Sequence, residues 1–126
     1  MIGTIAGVVC FFATVTVKRK WLIDDSLDVF PVHGVGGILG TFLVGIFASP
    51  DLGIFSGQGF ATGITSISQQ LIVQVTGIVA VGIFSAVLTF ILFKLVDRII
   101  GWRVTADEEN QGLDIADHNE SGYEFR

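Results

Sequence analysis

The sequence predicts an all-α, polytopic membrane protein with three transmembrane helices and a polar tail. Three observations carry that prediction. Of the 126 residues, 51% are hydrophobic, and the mean hydropathy is +0.72, a balance that points to lipid rather than to a soluble core. Apolar runs recur at about residues 2–17, 27–48 and 71–98, the second and third of membrane length. The charges are few and gathered at the ends of those runs, so residues 1–100 form the membrane part and 101–126 a tail.

A helix that crosses a hydrocarbon layer of about 30 Å needs roughly 20 apolar residues. Leu27–Ala48 and Leu71–Phe93 reach that length. Ile2–Val17 is shorter and stops at the basic triplet Lys18, Arg19, Lys20, which suggests a membrane helix whose beginning precedes the chain. A secretory signal peptide would carry its positive charges before the apolar run, and here they follow it. The segment Ser49–Gln70 between the second and third runs is rich in glycine and serine, has no lysine or arginine, and reads as a loop lying against protein.

Charge orients these spans. Lys18, Arg19 and Lys20 lie between the first and second, and Lys94, Arg98 and Arg103 follow the third, so both basic clusters fall on one side of a three-crossing chain. By the positive-inside rule that side is cytoplasmic, with Trp21 and Trp102 at its interface. The net charge of −5 belongs wholly to residues 101–126, where seven carboxylates face two arginines; residues 1–100 are balanced. Nothing basic or aromatic is arranged for nucleic acid. Cys10 is the single cysteine and sits in an apolar run, so a disulfide within the chain and a cysteine-based metal site are both excluded.

The second span contains an ionisable residue, His33. Helical spacing places it on one face with Val29, Gly36, Gly37 and Gly40, beside a stripe of Gly34, Thr41 and Gly45. Gly3 with Gly7 and Gly36 with Gly40 form small-xxx-small pairs that let helices approach closely. His33 should therefore point into a helix bundle, where an intramembrane ionisable group usually marks a pathway. The bland alternative is a histidine held by a neighbouring carbonyl for packing. Upstream, Asp28 followed by Val29, Phe30 and Pro31 reads as a helix N-cap with proline in the first turn, and Asp24 and Asp25 then favour the positive helix end. Asp25 is about 12 Å of helix from His33, too far for an acid–base pair. No nucleophile–base–orienter triplet, phosphate loop or metal-ligand pair is visible, so the pattern is not that of an enzyme and implies no metal or other cofactor.

The blocks "DDSLDVFPVHGVGGILGTFLVGIFA" (24–48), "QLIVQ" (70–74) and "GWRVTADEENQGLDIADHNESGY" (101–123) occur in the order found in the ammonium transporter family, which the chain closely resembles. The resemblance implies the last three helices and the cytoplasmic tail of an eleven-helix fold, the remainder preceding residue 1. It implies that His33 is the second of two pore histidines, that Asp25 mirrors a functionally important aspartate of the first inverted repeat, and that Val29 lines the same path. The family's aromatic recruitment site and phenylalanine gate lie outside this segment. Gly112, Leu113, Asp114, His118 and Glu120 match the tail motif that docks on cytoplasmic loops of a neighbouring subunit in a homotrimer. Some relatives are regulated by phosphorylation two residues before the tail histidine; here that residue is Ala116, which leaves Thr105 and Ser121 as hydroxyl targets. Read without the family, the tail is a disordered acidic segment.

The resemblance implies transport of ammonium or ammonia through a hydrophobic pore in each subunit, in the cell membrane, with a PII-type signalling protein as a candidate partner. Three helices cannot enclose a pore built from two inverted halves, so the chain alone should not transport. Two alternatives stay open: an ammonium sensor of the same fold, and a remnant of a truncated or split gene.

Overall fold

The computed structural model describes residues 1–122. Within them every regular element is helical, and three helices are long and apolar enough to cross a membrane: Ile2–Lys20, Phe30–Phe47 and Ile67–Ile100. The chain divides into two compact units, Met1–Phe84 and Ser85 onward.

In the first unit, α1 runs over Ile2–Val15 and widens into a π-helical turn over Thr16–Lys20. At the start of that turn the Thr16 hydroxyl donates to the Phe12 carbonyl at 2.8 Å. The turn takes the first span to 19 residues, beyond the limit near Val17 that the apolar run predicts. Three cationic residues in its last turn face the negative end of the helix. Amides of Trp21 and Ile23 then donate to the carbonyls of Thr16 and Val17, closing the end.

The second span, α2, starts as a π-helical segment over Phe30–Val35 and continues as α-helix over Gly36–Phe47. It lies against α1. Val17 near the end of α1 and Pro31 near the start of α2 are the most enclosed large side chains among the described residues. A Cβ at Gly36 would stand 3.1 Å from Cys10 Sγ, which marks the close approach of α1 to α2. Most other large apolar side chains of the spans are exposed, so these helices present apolar faces outward instead of enclosing a core of their own.

After α2 the chain folds back on the helix it has just left. Amides of Gly57 and Gly59 donate to the carbonyls of Ser49 and Ala48 at 2.8 and 2.9 Å, satisfying acceptors that the end of a helix leaves open. The Ser56 hydroxyl donates to Pro50 O at 2.6 Å across the same turn, which encloses a short 3-10 segment, Gly53–Phe55.

The third span, α3, covers Ile67–Ile100. It begins earlier than residue 71, where the apolar run suggests, because Ser66-Ile-Ser-Gln69 is a capping sequence. The Ser66 hydroxyl accepts from the Gln69 amide at 3.4 Å, and Gln69 Oε1 accepts from the Thr65 amide at 3.0 Å. At Gly45 of α2 a Cβ would meet Leu71 Cδ2 at 3.0 Å and Gln74 Cγ at 3.1 Å, so a glycine sets the contact between α2 and the first turns of α3. The Thr76 hydroxyl is satisfied within the helix by Ile72 O at 2.7 Å.

In the second unit the remainder of α3 ends at Gly101, whose φ of +69° is the left-handed conformation favoured just past a helix end. Trp102 packs edge-on against Phe93, ring centroids 4.2 Å apart. The tail then forms two short helices, α4 (Ala106–Gln111) and α5 (Leu113–His118). Acidic composition taken alone argues for disorder in the tail, and local capping supplies order there that composition does not reveal. Residues 123–126, including Tyr123 of the tail block, lie outside the described residues.

Gly57 and Gly59 separate two reasons for glycine. A Cβ at Gly57 would overlap the Phe47 carbonyl oxygen and lie 2.6 Å from Ala48 Cα, whereas Gly59 has φ +102° and open space around it. Gly57→Ala is expected to cost about 3 kcal/mol, and Gly59→Ala about 1 kcal/mol, in denaturant titrations of the detergent-solubilised chain.

Candidate functional site

The entry to α2 is built from carboxylates. Asp25 accepts from the Val29 amide through Oδ1 and from the Phe30 amide through Oδ2, each at 2.8 Å, so one side chain satisfies two donors that the helix start leaves unpaired. The capping role expected of Asp28 thus belongs to Asp25. Asp28 instead takes φ +55°, a left-handed conformation that aspartate tolerates better than most residues. Its backbone carbonyl accepts from the Val32 amide at 3.0 Å, and its Oδ1 lies 2.9 Å from Lys18 Nζ at the end of α1. Asp24 stays at the surface and accepts from the Ser26 hydroxyl at 3.3 Å.

His33 follows inside the π-helical segment, a departure from α-geometry often found at functional positions. It opens on a groove of about 400 Å³ between α2 and α3. Gly34, Gly37 and Thr41 line one side and Gly77, Val81 and Gly82 the other. A Cβ at Gly37, Gly77 or Gly82 would touch nothing, so these glycines widen the groove and do not serve a contact within the chain. Gly36, expected on the same face as His33, turns to Cys10 of α1 instead. The imidazole lines the groove and makes no hydrogen bond to any described residue. Val29 is 52% exposed and lies outside the groove lining.

The tail residues are assembled by local bonds. Thr105 and Glu108 form a reciprocal capping box: Glu108 Oε2 accepts from the Thr105 amide at 2.8 Å, and Thr105 Oγ1 accepts from the Glu108 amide at 3.3 Å. Arg103 grips Glu109 with two parallel bonds, of 2.7 and 3.0 Å. Gly112 has φ +95°, and a Cβ there would stand 2.7 Å from Asp114 Oδ1, so α4 can turn into α5 only through glycine. The Glu120 amide donates to Asp114 O at 2.9 Å, closing the end of α5 with Asn119 in a left-handed conformation. Leu113, Asp114 and His118 are exposed, and Ala116 is half-buried. Sequence reasoning missed the Lys18–Asp28 pair, which spans a connection with no helical register. It also missed the Thr105-x-x-Glu108 box, although that signature is legible by its spacing.

These features define a helical membrane protein in which a partly open apolar groove carries one imidazole. The chain belongs to the ammonium transporter family: the family model described as Ammonium Transporter Family matches residues 1–123. A relative from Methanothermobacter thermautotrophicus, whose name also refers to ammonium transport, is 46% identical over 122 residues, covering 96% of this chain and 29% of its own length. The ammonium transporter of Mycobacterium bovis is 42% identical, covering 98% of this chain and 26% of its own length. The ammonium transporter Amt1 of Archaeoglobus fulgidus is 37% identical, with 98% and 30% covered. The chain therefore spans less than a third of the length of these relatives.

Two glutamates make the tail sensitive to acid. Hydrogen bonds from the Thr105 hydroxyl and amide hold Glu108 below its ordinary pKa, and the bond from Arg103 does the same for Glu109. A carboxylate whose pKa falls on folding stabilises the fold above its unfolded value, about 4.3, and that contribution is lost as pH drops through the lowered folded value. Amide NMR of residues 105–112 should keep helical shifts down to about pH 5 and lose them progressively below about pH 4. Thr105→Ala should weaken α4 by about 1 kcal/mol at neutral pH, read as faster amide exchange at Gly112.

Proposed function

We propose that this chain is part of the conducting unit of an ammonium transporter, and that His33 is the polar contact along its path. The observation that carries the reading is an imidazole, without a hydrogen-bond partner among the described residues, on a glycine-widened apolar groove between α2 and α3. An ammonium ion stripped of water is costly among apolar walls, whereas neutral ammonia is far less so. An imidazole can donate to ammonia from one ring nitrogen and accept from it at the other, or relay a proton, without becoming a fixed charge in the path. Val29, near the start of α2, lines the approach from the cytoplasmic side. Asp25 and Asp28 hold the helix entry that presents them.

The distribution of lysine and arginine supports a multi-pass arrangement in the cell membrane with the tail in the cytoplasm. Exposed Leu113, Asp114 and His118, with Gly112 and Glu120 shaping the turns around them, form the tail's docking face for a neighbouring subunit of a homotrimer. A PII-type signalling protein is the regulatory partner on that side. The transport path requires the portion of the relatives' length that this chain does not span.

The test replaces the matching segment of the Archaeoglobus fulgidus relative with this chain. The graft should transport ammonium, and His33→Ala within it should lower the rate about 10- to 100-fold, the loss of one or two hydrogen bonds at a desolvated position. Unchanged rates and unchanged discrimination against methylammonium in the alanine variant would remove His33 from the path. The 126-residue chain alone in liposomes should take up none; measurable uptake would show that it encloses a path by itself.

A further inference from the structure

We propose that Lys18 is a positioning residue for His33, acting through Asp28. The backbone donors that begin α2 have few sources of partners. Val29 and Phe30 give their amides to Asp25, Pro31 has none to give, and Val32, the residue before His33, gives its amide to the Asp28 carbonyl. The placement of Asp28 therefore sets the turn that carries His33. Asp28 holds a left-handed backbone conformation, and its Oδ1 is shielded from solvent and accepts no well-directed hydrogen bond.

Lys18 Nζ, 2.9 Å away, is the counter-charge of that oxygen. A carboxylate oxygen removed from water is costly unless a cation compensates it. Lys18 itself extends from the last turn of α1, so the pair fixes the start of α2 to the end of the helix before it. Arg19 and Lys20 carry the same charge in the same turn and make no ion pair with a described residue. Pairing, and not charge at a helix end, separates Lys18 from its neighbours. The significance for transport rests on the role of His33 proposed above; the coupling from Lys18 to the His33 turn does not.

The coupling is measured on the whole chain in lipid nanodiscs, without transport. Amide hydrogen exchange of Val32 and His33 is followed together with the nitrogen-15 imidazole signals of His33, and His118, the second of two histidines, serves as the reference. Lys18→Met and Asp28→Asn should each speed exchange at Val32 and His33 roughly tenfold and shift the His33 signals, leaving His118 in place. Lys18→Arg, and the reversed pair Lys18→Asp with Asp28→Lys, should restore both readouts, while Arg19→Met should change neither. The proposal is overturned if Lys18→Met leaves exchange and imidazole signals unaltered, or if Arg19→Met reproduces its effect. Should Lys18→Met fail to fold, the reversed pair decides: recovery of the His33 signals supports the coupling, and failure to recover them overturns it.

Discussion

The first amides of a helix have no partner within it, and the second span of this chain supplies partners from carboxylates. Asp25 takes two amides at once, and proline removes one from the count. Asp28 gives its carbonyl to a further amide while its side chain pairs with the preceding helix. That entry leads directly into the turn in which the imidazole sits. The connection from residue 21 to residue 28 thus serves as the joint from which the second span is aimed, as well as a link.

Glycine does opposite work on two sides of the same helix. At Gly36 and Gly45 the missing Cβ lets α1 and α3 come close, with Cys10 on one side and Leu71 and Gln74 on the other. At Gly37, and at Gly77 and Gly82 across from it, the missing Cβ leaves space. Close packing around two glycines and an opening beside three others are what place an apolar groove next to His33. In a membrane the first use is common, because apolar side chains gain nothing by leaving lipid and small residues win by permitting contact. The second use leaves open space beside His33, which accords with the conduction role proposed for this chain and with its membership of a transporter family.

Much of this was legible beforehand. Apolar length marks all three spans, and the basic clusters suggest their orientation. His33 stood out because an ionisable residue in such a run is costly. Boundaries were less legible, for physical reasons that differ from place to place. The apolar run marks where hydrocarbon contact begins, whereas α3 starts at Ile67, where Ser66 and Gln69 cap it ahead of that run. The end of α1 lies beyond the apolar run because the helix continues as a π-helical turn through the basic triplet, whose charges suit the negative helix end. In the tail, acidic composition argues for disorder, yet Thr105, Glu108, Arg103 and Glu109 are spaced so that the same acids become caps and ion-pair partners.

Local sequence by itself determined that the chain is helical, that three segments suit a membrane, that the tail is acidic, and that one histidine is out of place in lipid. These follow from composition and short-range spacing, which act through solvation and backbone geometry within a few residues. Only the tertiary structure decided which aspartate caps α2, which cation of the basic triplet is paired, and which glycines close a contact or open a groove. Each of those depends on the position of atoms from another segment, and no helical period relates residues across a connection whose path is set by packing.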